Sequence, residues 1–155
     1  MKTVRSILRK LIELFILLIV GGSIYYTLEL MFRGYSHSSM FLVGGICFIL
    51  IGIINEFYSW NLAIEWQTLI GLSIVITVEF ISGCILNLWL GLNIWDYSDL
   101  PFNLLGQICL PFALLWLPLC VLAILLDDCL RYKWFEEEKP RYKSLVIEKI
   151  KSLKK

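Results

Sequence analysis

Lysine and arginine are nearly absent from the middle of this chain. Of its fourteen basic residues, only Arg33 lies between residues 11 and 130. A soluble domain needs charged groups over its surface, whereas this chain is 59% hydrophobic with a mean hydropathy of +0.77. The composition therefore excludes a soluble domain and indicates a membrane protein.

Signatures of metal, disulfide and enzyme sites are also missing. The five cysteines have no Cys-x-x-Cys spacing, so we interpret their thiols as small buried hydrophobes. No nucleophile elbow, phosphate-binding glycine loop or metalloprotease motif occurs. With one histidine and no fixed ligand spacing, we expect neither a metal nor a cofactor, and an enzyme is the least favoured class.

What the chain has in excess is long apolar runs. Four of them cover about residues 11–32, 40–54, 67–90 and 104–126, and about 20 apolar residues span a bilayer as a helix. The first run is too long for a cleaved signal peptide, so we expect it to be retained. The sequence predicts an all-α membrane protein whose residues 1–130 form four transmembrane helices.

The distribution of positive charge predicts the orientation. Four basic residues precede the first run and nine follow the fourth. Because cytoplasmic segments are enriched in Lys and Arg, we expect both termini in the cytoplasm of a multi-pass protein of the cell membrane. The net charge of +1 gives no indication of nucleic acid.

The C-terminal residues 131–155 form a predicted basic cytoplasmic tail. Within it, Tyr142, Val146, Ile150 and Leu153 make the apolar stripe of an amphipathic helix among Lys and Arg residues. Such a helix suits an anionic lipid leaflet or a docking surface for a protein partner.

A nine-residue phrase occurs twice, 50 residues apart. Residues 21–29 and 71–79 share Gly-x-Ser-Ile-x-x-Thr-x-Glu, with five of nine positions identical. A second phrase follows each copy, at residues 42–47 and 104–109. These matches predict two parallel two-helix repeats related by an approximate two-fold axis along the membrane normal. The predicted repeats cover about residues 11–54 and 67–126.

Both copies of the phrase end on a glutamate, Glu29 and Glu79. Glu79 follows Trp66 by 13 residues, or about 20 Å of helix, which places it in the outer half of a hydrocarbon core about 30 Å thick. Its helix face continues through Gly83 and Asn87, so we expect it to face the bundle interior. An acid at that depth is costly unless protonated or paired, which makes it a functional candidate. The alternative is a neutral Glu that hydrogen-bonds two helices.

The two glutamates have different neighbours. Arg33 and His37 follow Glu29 by one and two turns, and the three share a face if the helix continues past Gly34. The second copy has twelve extra residues in its outer loop instead, which add polar groups on the same side. If the two-fold axis brings Glu29 close to Glu79, the two carboxyls would titrate as a coupled pair. The candidate ligand- or ion-binding residues are Glu29, Arg33, His37, Glu79, Asn87, Asp96, Tyr97, Asp99, Asn103 and Gln107.

Three stretches are similar to a known family. They are residues 29–37, residues 40–47 and residues 95–110, the last beginning Trp-Asp-Tyr-Ser-Asp-Leu-Pro-Phe-Asn. Together they resemble the bacterial family of ABC-transporter permeases of the CmpB type, over roughly residues 21–132. The resemblance implies a permease and names neither substrate nor mechanism.

The favoured interpretation is a small transporter or permease component, with Glu29 and Glu79 as proton or cation sites and Arg33 as counter-ion. Four spans are few for a transport pathway, so we expect a homo-oligomer or a partner subunit, in contact with membrane lipids. One alternative is a non-transporting membrane protein that binds a lipid or a protein, with structural carboxylates. The less favoured alternative is a membrane-embedded enzyme with His37 or an acid as base.

Overall fold

The computed structural model describes residues 2–58 and 62–153. Within these residues every regular element is helical, and four helices are long and apolar enough to cross a membrane. The predicted all-α membrane fold is therefore confirmed. The elements in chain order are α1 (Lys2–Arg33), α2 (Ser38–Gly52), α3 (Ile54–Phe57), α4 (Ile64–Gly83), a π-helical segment (Cys84–Trp89), α5 (Leu110–Phe135) and α6 (Leu145–Leu153).

Two helix boundaries differ from the apolar runs. The 32 residues of α1 make it about 48 Å long, so it extends beyond a hydrocarbon core of about 30 Å. The fourth span begins at Leu110 rather than near residue 104, because the chain first turns at Gly106 with φ of +68°. Pro111 lies in the first turn of α5, where no backbone donor is needed, whereas Pro118 lies inside the helix.

Glycines allow α1 and α2 to pack closely. A Cβ atom at Gly44 would collide with Tyr25, and one at Gly45 would lie 2.6 Å from the backbone oxygen of Leu18. Small residues at such contacts let helix backbones approach each other in membranes. The two helices therefore form a tight hairpin.

Helix α2 connects this hairpin to the other two spans. It packs on both α4 and α5. The buried core of the junction contains Ile51 of α2, Val75 of α4, and Cys120 and Ile124 of α5. Burial of the Cys120 thiol among these side chains agrees with its interpretation as a small hydrophobe.

A buried ion-pair cluster joins helices at one end of the bundle, which we call the terminal end. Its centre is Arg131 of α5, which is 3% exposed. Arg131 donates from Nη1 to Glu13 of α1 at 2.6 Å and to Glu56 of α3 at 3.3 Å, and from Nε to Asp127. The cluster therefore links α1, α3 and α5.

Helix α6 is attached to α4 through Glu65. The Glu65 carboxylate accepts the Ser144 hydroxyl and the backbone N–H groups of Leu145 and Val146, at 3.2 and 3.4 Å for the two N–H groups. A carboxylate in this position caps the first turn of a helix. Val146 and Ile150 of the predicted stripe remain exposed, and residues 154–155 of the predicted tail lie outside the described residues.

The glycine packing predicts that Gly45→Ala destabilises the protein by roughly 1–3 kcal/mol, because the new methyl group meets backbone that cannot rotate away. Gly71 offers a matched control, since a Cβ there has its nearest neighbour, Cys120, at 3.5 Å. Gly71→Ala should leave stability unchanged or raise it by up to about 1 kcal/mol. Denaturant unfolding in detergent micelles measures both; equal losses would contradict the packing argument.

The terminal-end cluster predicts that Arg131→Met lowers the free energy of unfolding by about 3–5 kcal/mol, because it leaves the buried Asp127 carboxylate without a counter-ion and leaves Glu13 with Lys10 alone. Arg9→Met is the control. Arg9 pairs with Glu136 at the surface, where both side chains are mostly exposed, and such pairs contribute about 0–1 kcal/mol. Unfolding experiments that find the two variants equally stable would refute this role of Arg131.

Candidate functional site

Glu79 is buried where α4, α5 and the α4–α5 loop (residues 90–109) meet. Its side chain is held by Tyr97, whose hydroxyl donates to Oε1 at 3.2 Å, and by Trp116, whose Nε1 donates to Oε2 at 3.1 Å. Both donors are neutral. Among the residues that the structure describes, no Lys, Arg or His forms an ion pair with this carboxyl. Its position is therefore fixed while its charge is uncompensated.

Tyr97 supplies the contact from the loop. Its ring stacks on Phe112 of α5 with centroids 4.6 Å apart, and its backbone N–H donates to the Gly106 carbonyl at 2.7 Å. Burial raises the pKa of the Tyr97 phenol, and the negative charge of Glu79 raises it further. The phenol therefore stays protonated and can donate to Glu79.

Glu29 is equally buried but has a counter-ion. Its Oε1 accepts from Arg33 Nη1 at 2.9 Å, and its Oε2 accepts the Ser36 hydroxyl. Arg33 also donates from Nη2 to the Ile94 carbonyl at 2.8 Å. The pair thus ties the end of α1 to the α4–α5 loop, at the end of the bundle that we call the loop end.

Aromatic side chains connect the two glutamates. Tyr25, one turn before Glu29, stacks on Trp116 with ring centroids 5.7 Å apart and planes 19° apart. Trp116 in turn donates to Glu79. The two carboxyl groups therefore belong to one region of the bundle, although different donors hold them.

Asn87 and Gln107 fold the loop back onto the helix ends. Asn87 accepts the Ile94 N–H at 2.7 Å and donates to the Trp95 carbonyl at 3.0 Å and to Gln107 Oε1 at 2.8 Å. Asn87 lies in the π-helical segment, where the wider turn changes the direction of the side chains that follow α4. Ile94 and Trp95 are buried as a result. Asn87 and Gln107 thus position the loop that carries Tyr97.

Three further predicted residues lie in the turn of this loop. Asp96 accepts the hydroxyl and backbone N–H of Ser98, and the hydroxyl hydrogen bond lowers the pKa of Asp96. Asn103 donates to the carbonyls of Ser98 and Leu100, while Asp99 is exposed. The hydrogen bonds of Asp96 and Asn103 stabilise the turn rather than contact Glu79.

His37 lies apart from Glu29 along the chain. Helix α1 ends at Arg33 and Gly34 adopts a φ of +76°, so the helix does not continue to His37 as a shared face would require. Instead the His37 ring caps α2, where Nδ1 accepts the Ser39 N–H at 3.2 Å. The ring lines neither cavity at Glu79.

Two cavities meet at Glu79. One, the interhelical cavity, has a volume of about 360 Å³ and lies among α1, α2, α4 and α5. The other, the loop cavity, has a volume of about 300 Å³ and is lined by Ile76, Phe102 and Cys109 among others. Glu79 lines both of them. A change of its rotamer or protonation state would therefore alter the lining of both cavities.

The family described as "Putative ABC-transporter type IV" matches residues 14–148, which include nearly all of the four spans. The chain belongs to this family. The "ABC-transporter type IV" match confirms the resemblance found in the sequence, and with the four apolar helices it identifies a multi-pass membrane protein. No curated protein and no solved structure matches the chain.

The contacts of Trp116 with Glu79 and of Arg131 with its carboxylates were not predicted from the sequence. Trp116 was recognisable only as a tryptophan inside a span, whose N–H needs a partner when buried. The signal for the terminal-end cluster was Asp127 four residues before Arg131, with Glu13 inside the first apolar run. Neither signal names the partner, because each contact is made with another helix.

The loop contacts predict that Asn87→Leu destabilises the protein by about 1–3 kcal/mol, because the buried Ile94 N–H loses its acceptor. The loop should also become more sensitive to limited proteolysis. Asp99→Asn, in an exposed part of the same loop, is expected to change neither property. Thermal unfolding and proteolysis of purified protein test both variants, and unchanged behaviour of Asn87→Leu would contradict the assignment.

Proposed function

We propose that this chain is a small permease, or the membrane-spanning subunit of one, in which Glu79 binds a proton or a cation. The observation that carries the proposal is the position of Glu79 between two cavities, with no counter-ion among the residues that the structure describes. A charged carboxyl in apolar surroundings is costly, so it is either protonated or joined by a cation. Exchange between these two states is the elementary step of ion-coupled transport.

The two cavities support an alternating-access cycle. Glu79 reaches the interhelical cavity on one side and the loop cavity on the other. In transporters a fixed site near the middle of the membrane is exposed to one side at a time by movement of helices around it. In our proposal, the hydrogen bonds from Tyr97 and Trp116 hold the carboxyl at that fixed position while its occupancy changes.

Glu29 and Arg33 have a positioning role in this proposal. Their ion pair neutralises Glu29, and the Arg33 bond to the Ile94 carbonyl holds the loop that carries Tyr97. The sequence predicts Glu29 as a second proton or cation site. In the structure Arg33 already compensates its charge, so Glu29 can stay ionised without binding a proton or a cation. Our proposal therefore assigns the exchange to Glu79.

The proposed orientation places the terminal end in the cytoplasm and the loop end outside. The basic residues at both chain termini support it through the positive-inside rule. Because four spans provide few walls for a pathway, the permease would work as a homo-oligomer or with a partner subunit. An ATPase is the partner that the family description suggests.

The test is proton-coupled cation flux in liposomes. Purified protein is reconstituted with a trapped pH indicator, and sodium, potassium or an organic cation is added outside in separate experiments. Wild type should release internal protons with at least one cation, and Glu79→Gln should slow this release by about 10-fold or more. Glu29→Gln, the matched variant from the repeated phrase, should retain most of it.

The opposite results would overturn the permease proposal. Wild type that moves no protons with any cation, or a Glu79→Gln variant as active as wild type, contradicts it. Loss of thermal stability together with loss of flux in Glu79→Gln would favour the structural alternative, in which the carboxyl only links helices.

A further inference from the structure

We infer that the interhelical cavity binds a hydrophobic organic cation, whose positive charge lies against Glu79 and whose apolar groups fill the space among α1, α2 and α5. This inference rests on the proposed function of Glu79 as a cation site and names the class of cation. It is argued from the walls, the polar groups and the opening of the cavity.

The walls of the cavity are almost entirely apolar. Apart from Glu79, the groups with polar character along it are the Tyr25 phenol, the Trp116 indole N–H and the thiols of Cys47 and Cys120. The volume of about 360 Å³ lies within the range of about 300–1,000 Å³ typical of small-molecule sites. The cavity therefore has room for an organic molecule and few polar groups to hydrate it.

An inorganic cation does not suit these walls. Hard cations such as Ca²⁺ take six to eight oxygen ligands, and even Mg²⁺ keeps several waters when protein oxygens are few. Here one carboxyl group and one phenol would have to replace the hydration shell. The desolvation free energy is much smaller for a cation whose charge is already surrounded by carbon atoms. The donor set thus selects a hydrophobic cation over a metal ion.

Aromatic rings complete the site. Tyr25 and Trp116 both line the cavity, and their stacked rings lie beside the carboxyl that Trp116 holds. The faces of such rings attract cations, most strongly in a site removed from water, and aromatic cages recognise alkylated ammonium groups in this way. A carboxylate and two ring systems at one end of an apolar cavity are complementary to one diffuse positive charge.

The opening of the cavity faces the lipid side of the bundle. Ile24 of α1 and Leu122 of α5 line the cavity and are 41% and 60% exposed, so the cavity reaches the surface between these two helices. In a membrane, such exposed apolar side chains contact lipid. A hydrophobic cation that partitions into the bilayer would therefore enter between α1 and α5 without crossing a polar barrier.

Equilibrium dialysis in a neutral detergent tests the inference without any flux. The probe is tetraphenylphosphonium, and tetraphenylborate is an anion of similar shape. We expect specific, saturable binding of the cation, corrected for protein-free micelles. Glu79→Gln should weaken it by about 10-fold or more, whereas Glu136→Gln, at a mostly exposed carboxylate of the terminal end, should change it by less than about 3-fold. Glu136 does not line the cavity.

A steric variant keeps the test valid if charge removal affects folding. Ala123 lines the cavity, so Ala123→Phe should block tetraphenylphosphonium and leave Glu79 in place, whereas Leu125→Phe, outside the cavity, should not. Absence of saturable cation binding, equal affinity for tetraphenylborate, or binding unaffected by both Glu79→Gln and Ala123→Phe would overturn the inference. Proton flux with an inorganic cation but no tetraphenylphosphonium binding would refute the hydrophobic-cation inference and leave the permease proposal standing. Glu79-dependent tetraphenylphosphonium binding without proton flux would refute the permease proposal and leave the cation inference standing.

Discussion

Hydrocarbon does not solvate charge, and this constraint organises the polar side chains of the whole bundle. At the terminal end, Arg131 neutralises carboxylates from three helices. At the loop end, Arg33 neutralises Glu29. Two buried carboxyl groups are held by neutral donors instead: Glu79 by a phenol and an indole N–H, and Asp128 by the Asn55 amide and the Tyr142 hydroxyl. Of the two, Glu79 also lines the interhelical and loop cavities, which is why the proposed function assigns the exchange to it.

The features that were predictable from the sequence are local ones. Apolar runs of about 20 residues without basic side chains have one stable form in a bilayer, a spanning helix, because all backbone hydrogen bonds close within the segment. Helical periodicity likewise predicted that Glu79 faces inward, and it is 7% exposed. The pairing of Glu29 with Arg33 follows from a spacing of one turn.

The features that escaped prediction depend on contacts between distant segments. Trp116 donates to a carboxyl 37 residues earlier, and Arg131 to one 118 residues earlier. The residues of the repeated phrase are similar around both glutamates, yet Glu29 takes its counter-ion from its own helix and Glu79 takes its donors from the loop and α5. A repeated phrase records residue types, whereas the partners of each copy are set by packing.

The attachment of α1 has a mechanical consequence. It is held at the terminal end through Glu13, in its fourth turn, and at the loop end through Arg33, in its last turn. Between these points it faces α5 across the interhelical cavity, with the Tyr25–Trp116 stack as a contact. Parting the two rings while both ends stay fixed would bow the α1–α2 hairpin. Because a helix held near both ends bends rather than swings, any widening of the interhelical cavity would be greatest near the Tyr25–Trp116 stack, away from both attachment points.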